Sequence, residues 1–423
     1  MTEGRSVSAL ITWNGDCLGT VGPFCVAGTW AHDVAPVVAR LRDELGVRVA
    51  VLRMIDVSGE EPRGGHATYH VEAFERPRRA RFGPAPAHLE ALIGPEPQRA
   101  AWATRNGLLA ALDWATEALQ AAGRAPLGPP EQVKTWNLSG LFRFKTARGP
   151  VWLKTLPMFA ADEAVALGAV RLVAPTLVPA VLAADSAGRR LLLDHVPGTD
   201  CWEPSAADVR GAVRGLAQAQ AALADDPVLI PAAVLHDRRL PTLVVEAANL
   251  VAGEAGAQLQ PADRAAAEAL VARLPRLVAE LDACGLPDTL VHGDFYVGNW
   301  RSDGTRTMIL DFSESGFGHP ADDGIWPRDW LPDDLWALAA ETWVRTWREC
   351  RPGSEPARAL ELAAPLAHLG HAIRWQRFLD SIEPSEYPYH FGDPAAGIRH
   401  ALRAAARPAS SSAVRYRGAG LSE

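Results

Sequence analysis

Apolar positions along this chain repeat with three different rhythms. Residues 7–13, 47–57 and 67–74 are apolar or alternating runs of strand length. Residues 30–45 carry an amphipathic helical stripe closed by Gly46, and residues 98–122 read as helix. This order predicts a small α+β unit over residues 1–122. Gly123-Arg124-Ala125-Pro126-Leu127-Gly128-Pro129-Pro130 cannot continue a helix, and a linker is predicted over 123–131. Strand signals then return. Residues 136–144 read as strand, turn, strand; residues 149–154 alternate; residues 177–183 and 190–196 are two more strands, the last closed by Pro197-Gly198. A helix starts near residue 160. From 199 to 406 the rhythm is helical, with alanine-rich stripes over 206–224, 262–282, 334–349 and 357–380. A proline-containing loop at 76–86 carries Arg76, Arg78, Arg79 and Arg81, and the tail 407–423, with Ser410-Ser411-Ser412, is predicted to fray.

Composition narrows the function classes. A chain of 423 residues calls for two or three cooperative units. Its net charge of −8 argues against general nucleic-acid or membrane-surface binding and suits cationic small molecules. Cys17, Cys25, Cys201, Cys284 and Cys350 are scattered without metal-ligand spacing, as in a reduced, cytoplasmic protein. The first residues carry no signal-peptide pattern. The apolar stretch 170–184 is interrupted by Arg171, Pro175 and Pro179, so no membrane span is predicted. Of 42 basic residues only Lys134, Lys145 and Lys154 are lysines. Where arginine is used almost everywhere, a retained lysine is a candidate for a task that needs a compact point charge.

The chemistry concentrates in His292-Gly293-Asp294-Phe295-Tyr296-Val297-Gly298-Asn299, preceded by apolar Thr289-Leu290-Val291 and followed by Met308-Ile309-Leu310-Asp311. Phosphoryl transfer needs a carboxylate to orient or receive the acceptor proton. It also needs an amide oxygen and a second carboxylate to hold magnesium against nucleotide phosphates. Asp294 suits the first role; Asn299 and Asp311 suit the second. His292 is expected to brace the loop. A bare His-Gly-Asp also occurs in ordinary turns, and it is the flanking strands and the Asn and Asp spacing that set this one apart.

This loop resembles the catalytic loop of aminoglycoside phosphotransferases and related small-molecule kinases, relatives of the protein kinases that carry HGD in place of HRD. The resemblance runs over roughly residues 132–406. It implies an α+β, bilobal protein-kinase-like fold: a small β-rich N-lobe and hinge at 132–198 and a helical C-lobe at 199–406. It also implies ATP or GTP as co-substrate and Mg²⁺. On this resemblance Lys154 is the phosphate-binding lysine and Glu163 its ion-pair partner, with Asp162 competing. Ser139 and Gly140 form the phosphate-covering turn, and Asp194, His195 and Val196 the adenine-reading hinge. Gly318, Pro320 and Asp323 match a pattern found just past the metal-binding aspartate, and Asp323 is expected to fix the loop. Acceptor candidates are Asp329, Asp333, Asp334, Glu383 and Glu386, with the aromatics Trp326, Trp330, Trp375, Tyr387 and Tyr389 close by; each has the competing reading of a helix cap or a core residue. The His236-Asp237-Arg238-Arg239 cluster is read as an arginine-rich loop packed on the lobe.

Residues 41–47, Leu-Arg-Asp-Glu-Leu-Gly-Val, resemble the second half of a Nudix box. Ala31 and Arg40 stand where two of its glutamates belong, so the expectation is either a degenerate Nudix-like domain or a generic α+β domain. The whole predicts a small-molecule kinase acting on a cationic or sugar-like hydroxyl acceptor. The alternatives are a sugar, nucleoside or amino-alcohol kinase of primary metabolism and a non-catalytic pseudokinase. The expected partners are a small-molecule acceptor and a nucleotide, with no nucleic acid and no membrane.

Overall fold

The amino-terminal alternation closes into a mixed sheet. The computed structural model describes residues 4–28, 30–58, 65–78 and 81–406. Strand β1 (Gly4–Trp13) buries Val7, Ala9 and Ile11 on one face and forms a hairpin with β2 (Asp16–Ala27). Helix α1 (Ala35–Leu45) follows, then β3 (Val49–Ser58) and β4 (His66–Ala73). The strand order is β2-β1-β4-β3, with β1 parallel to β4 and the other pairs antiparallel. Two expectations change here. The helix starts at Ala35 and not at residue 30, because Pro36 is tolerated only in a first turn. Strand β2 was not expected, because Gly19, Gly22 and Pro23 interrupt its apolar pattern. The short α2 (Leu89–Ile93) precedes α3 (Arg105–Ala121), whose N-cap Thr104 accepts a hydrogen bond from Gly107 N at 3.1 Å.

A second, five-stranded antiparallel sheet holds β5 (Glu131–Trp136), β6 (Ser139–Phe144), β7 (Val151–Thr155), β8 (Val181–Asp185) and β9 (Arg190–Asp194) in the order β5-β6-β7-β9-β8. β8 begins after Pro175 and Pro179 and not at residue 177, since proline cannot donate to the ladder.

Both sheets belong to one compact unit, formed by Met1–Phe159, Val181–His195 and Leu379–Phe391. Shared burial explains why. Leu108, Ala111, Ala115 and Leu119 of α3 pack in one core with Ala50 and Leu52 of β3 and Phe142, Phe144, Leu153 and Leu192 of the second sheet. Gln132 adds a side-chain imitation of a strand pair: its Nε2 donates to Val51 O at 2.7 Å and its Oε1 accepts from Val51 N at 2.9 Å. Segment 123–131 lies inside this unit. Arg124, 8% exposed, donates to Asp194 Oδ1 and Arg148 O, each at 2.9 Å. Residues 379–391, read from sequence as part of the helical lobe, also belong here. Glu383 pairs with Arg53 and Arg99, Ser385 Oγ donates to Met54 O, and Tyr389 joins the core of the first sheet.

The second unit holds Ala160–Ala180, Val196–Phe378 and Gly392–Glu423, of which residues 407–423, including the tail expected to fray, lie outside the described part. Its helices are α4 (Glu163–Val173), α5 (Ala206–Asp225), α6 (Leu240–Ala252), α7 (Glu254–Ala257), α8 (Pro261–Asp282), α9 (Ala321–Ile325), α10 (Asp333–Cys350), α11 (Pro356–Ser381, of which the last three residues fall in the first unit) and α12 (Asp393–Ala406). α5 opens on a capping box between Ser205 and Asp208. Two three-stranded sheets cradle the chemistry. One orders β10 (Thr199–Asp200), β13 (Trp300–Ser302) and β14 (Thr307–Ile309). The other orders β11 (His236–Arg238), β15 (Gly316–Gly318) and β12 (Thr289–Val291). The cluster read as an arginine-rich loop is therefore strand β11, paired in parallel with β15. Among the described residues no helix is long and apolar enough to cross a membrane, and the five cysteines are unpaired.

Candidate active site

Strand β12 delivers the catalytic loop, and the loop is held by local hydrogen bonds before any distant residue acts. His292 is fully buried against Phe312, with ring centroids 4.4 Å apart. Its Nδ1 accepts from Asp294 N at 3.2 Å, so its Nε2 carries the proton and donates to Leu310 O at 2.9 Å. It ties the loop to Leu310, the residue before Asp311. Gly293 has φ +79°, and a Cβ there would collide with Glu314 O and lie 2.8 Å from Arg238 Nη2, so only glycine fits. Asp323, at the start of α9, clamps the loop backbone. Its Oδ2 accepts from His292 N at 2.6 Å and Gln220 Nε2 at 2.7 Å, and its Oδ1 accepts from Gly293 N at 2.9 Å. Burial and neighbouring Asp322 push this carboxyl up to about 7, while the two backbone N–H groups pull it down.

Asp294 presents its carboxylate between two donors. Arg374 Nη1, from α11, donates to Oδ1 at 2.8 Å and to Gly293 O at 3.0 Å. Asn299 Nδ2 donates to Asp294 Oδ2 at 3.2 Å and to Asp294 O at 2.9 Å. The amide nitrogen of Asn299 is thus the donor on Asp294, and its Oδ1 has acceptor capacity only. Asp311 sits in the left-handed region at φ +61°, a conformation that Asp tolerates better than most residues. Ser313 Oγ donates to its Oδ1 at 2.6 Å. One carboxylate and one amide oxygen, completed by substrate phosphates and water, are a donor set that suits Mg²⁺. Among the described residues no group of three His, Cys, Asp or Glu side chains is placed to hold a metal by itself.

The remaining candidates divide between the units. Glu163 belongs to the second unit. It is 1% exposed and its Oε1 accepts from Phe312 N at 3.1 Å, which fixes the start of α4 to the residue after Asp311. Asp162 is the N-cap of that helix, accepting from Val165 N at 3.3 Å. Lys154 belongs to the first unit, 7% exposed on β7 between Leu141 and Leu191. Ser139 and Gly140 open strand β6, and the turn itself is Asn137-Leu138. Ser139 Oγ accepts from Trp136 Nε1 at 3.1 Å, and Gly140 N donates to Thr155 Oγ1 at 3.1 Å. Asp194 ends β9, with its Oδ1 taken by Arg124 and by His195 N. His195 Nδ1 accepts from Trp152 Nε1 at 3.2 Å. Val196 is buried, and its carbonyl accepts from Arg301 Nε at 2.8 Å.

The acceptor candidates fare differently. Glu383 and Glu386 are 3% and 2% exposed inside the first unit, where Glu383 Oε1 lies 2.9 Å from Arg53 Nε and its Oε2 lies 3.0 Å from Arg99. Burial first, and Glu383 second, push the Glu386 carboxyl well above the ordinary range. Both are interior groups of the first unit and do not line an open acceptor surface. Asp329 lies 3.8 Å from His368 Nδ1, and Trp375 is half-buried with Arg374 over its ring.

Not anticipated were Arg374, the place of Arg238, and Trp202 and Tyr296, which gather with Trp330, one of the aromatics expected near the acceptor. Tyr296 lies 4.6 Å from the ring of Trp330 and 5.8 Å from that of Trp202. Burial first, then the charges of Asp294 and Asp311, raise its hydroxyl well above the usual value. The sequence signal for this group was the tyrosine inside the catalytic motif itself.

In the amino-terminal sheet domain, Glu44 is paired with Arg40 at 3.2 Å and Asp43 is exposed. Neither gathers a metal, and the Nudix likeness gains no support. The full chain is accordingly expected to release no nucleoside monophosphate from nucleoside-diphosphate-linked compounds with divalent metal present, and Glu44→Gln to change nothing. Metal-dependent release that disappears in Glu44→Gln would show an active Nudix site.

No functionally curated protein matches the chain. Among solved structures, it is similar to a choline/ethanolamine kinase family protein from Mesorhizobium loti at 18% identity, over 70% of this chain and 98% of that one, with a TM-score of 0.46. It is similar to a macrolide 2′-phosphotransferase from Brachybacterium faecium at 20% identity, over 68% and 98%, with a TM-score of 0.47. It is similar to a choline kinase from Streptococcus pneumoniae at 14% identity, over 69% and 97%, with a TM-score of 0.48. The family model described as the phosphotransferase enzyme family matches residues 132–362. That span is more than half of the sequence and contains β6, the catalytic loop and Asp311, so the chain belongs to the phosphotransferase enzyme family and is a small-molecule kinase that takes a nucleotide as co-substrate.

Proposed function

We propose that this kinase transfers the γ-phosphate of ATP or GTP, with Mg²⁺, to a hydroxyl of a small acceptor that carries a positive charge or several hydroxyl groups. The observation that supports it most is the carboxylate of Asp294, held by Arg374 on one oxygen and by Asn299 on the other. Asp294 orients the acceptor hydroxyl and takes its proton as the new O–P bond forms and the bond between the γ-phosphorus and the bridging oxygen breaks. Asn299 Oδ1 and Asp311 would hold the magnesium, which when bound neutralises phosphate charge. Lys154 contributes a point charge toward the nucleotide phosphates. Asp323 and His292 keep the loop in register throughout.

The acceptor class follows from what surrounds Asp294. Trp202, 55% exposed, with Tyr296 and Trp330 forms an aromatic group that includes a residue of the loop carrying Asp294. A cation over such a face gains roughly 0.5–2 kcal/mol, and carboxylates add charge-assisted hydrogen bonds. A screen of aminoglycosides, amino alcohols, amino sugars, nucleosides and simple sugars for nucleoside-diphosphate release tests the reading. Turnover confined to anionic acceptors would defeat the acceptor class, and no turnover with any class would defeat the kinase mechanism.

Asp311→Asn separates the metal role from the proton role. It should raise the magnesium needed for half-maximal nucleotide binding by roughly tenfold or more, measured by titrating magnesium against nucleotide-induced thermal stabilisation. An unchanged magnesium dependence would remove Asp311 from the metal site.

A further inference from the structure

Arg374 is a buried cation on a helix that docks without it. Leu366, Leu369, Ala372 and Phe378 of α11 are buried, and Arg377, one turn on, donates from Nη2 to Glu314 Oε2 at 2.5 Å. Taking a guanidinium out of water is unfavourable, and a hydrophobic side chain of similar size often serves stability as well or better. Arg374 also lies outside the span matched by the family, which ends at residue 362.

Its hydrogen bonds among the described residues are two, and both leave Nη1. One goes to Asp294 Oδ1 at 2.8 Å and the other to Gly293 O at 3.0 Å. A single N–H₂ group thus reads a backbone oxygen and the next residue's side-chain oxygen, which fixes the carboxylate against its own loop. Burial lowers the pKa of this guanidinium, but Asp294 and then Glu314 outweigh burial and raise it, so the group is charged. The two oxygens of Asp294 are therefore unlike. Oδ1 has a charge-assisted bond to a cation; Oδ2 has a longer bond, 3.2 Å, to the neutral amide of Asn299.

We propose that Arg374 is a positioning residue for phosphoryl transfer, which holds Asp294 Oδ1 and Gly293 O so that Oδ2 is the oxygen presented to the acceptor hydroxyl. This rests on the reading of Asp294 as the group that takes the acceptor proton. A proton on Oδ1 would face a guanidinium, which has donors only. On Oδ2 it displaces the weaker amide bond. As the acceptor oxygen bonds to phosphorus, its proton passes to Oδ2, and the bridging O–P bond breaks with its electron pair leaving on the nucleoside diphosphate.

The test is phosphate release from Mg·ATP and Mg·GTP by the full chain, with water as the acceptor. Arg374→Ala is expected to lower kcat by roughly ten- to a hundredfold, as misplacement of a reacting group does. KM for the magnesium nucleotide should stay near that of the parent protein, a split that general loosening of the fold would not give. Guanidinium chloride well below denaturing concentrations should restore part of kcat in Arg374→Ala, against sodium chloride at equal ionic strength. It can enter by the cleft that Arg374 lines with Asp322 and Arg377. It should restore nothing in Arg374→Met, which leaves no space. Should Arg374→Ala not fold, Arg374→Gln, which keeps a donor without the charge, makes the same kcat comparison. Full kcat in the alanine and glutamine variants overturns the proposal, and so does a loss in Arg374→Ala that guanidinium leaves unchanged. Asp294→Asn is measured beside them. If it too keeps full turnover, the Asp294 reading fails and the proposal falls with it. If Asp294→Asn alone loses turnover, only the role of Arg374 fails.

Discussion

Asp294→Asn is expected to lower kcat by roughly 10²–10⁴, the usual contribution of a positioned acid or base, while nucleotide binding persists. Asparagine is nearly isosteric, so the packing around the loop survives; what disappears is the charge and the oxygen that receives the acceptor proton. The present geometry adds a refinement. Arg374 donates to Oδ1 and Asn299 donates to Oδ2. An asparagine at 294 can keep its oxygen toward Arg374 only by turning its own N–H₂ toward Asn299. That opposes two amide nitrogens and pushes Asn299 to flip. Asp294→Ala, which imposes no such flip, should therefore lose turnover equally but disturb magnesium-dependent nucleotide binding less. The measurements are single-turnover phosphoryl transfer and calorimetric nucleotide binding in magnesium. Turnover near that of the parent protein in both variants would mean that another group handles the proton.

The parts of this site that could be read from sequence are those whose geometry is local. His292, Asp294, Asn299 and Asp311 lie within twenty residues, and their mutual hydrogen bonds are set by two short strands and the turn between them. The long helices of the second unit were legible for the same reason: a stripe of period 3.6 needs only its own neighbours. Arg374 was not, because it reaches Gly293 and Asp294 across eighty residues from the middle of an apolar helical stripe. In sequence it looks like any helical arginine. Arg238 was hidden in the same way; only the glycines at 293, 316 and 318, each of whose absent Cβ would press on it, record its presence. The acidic residues after 380 misled for a physical reason. Acids near aromatic residues suit a cation, but they suit buried arginines equally well, and Arg53 and Arg99 lie almost three hundred residues or more away in the chain. The shared core of the two sheets was likewise invisible, because Pro-rich segment 123–131 carries every local mark of a free linker while Arg124 is bonded to Asp194.

Those buried charges make Arg53→Met the substitution expected to cost most stability. Arg53 is 1% exposed; its guanidinium lies 2.9 Å from Glu383 Oε1, bonds His70 Nδ1 at 2.7 Å and contacts Leu92 O. Burial first lowers its own pKa, to about 10, which still leaves it charged at neutral pH. Methionine fills the space but removes the cation, and breaking one side of a buried pair costs about 3–5 kcal/mol because the partner charge stays behind. The pH dependence gives the mechanism its own signature. Glu386 has a folded pKa raised above its unfolded value by burial and by Glu383, and Arg53 is the first of the charges that oppose the rise. A carboxyl with a raised folded pKa binds more protons folded than unfolded, so its contribution is fully present below the unfolded pKa and is lost as pH rises. Without Arg53 that loss should grow. The gap in unfolding free energy between Arg53→Met and the parent protein should be smallest near pH 5 and widest near pH 8. Adding Glu386→Gln, which cannot ionise, should remove most of the pH-dependent part of the gap. Urea unfolding of the three proteins across this range decides the matter. A gap under about 1 kcal/mol, as for an exposed pair, or one that widens toward acid, would show that residues 379–391 are held to the first sheet by packing and not by these charges.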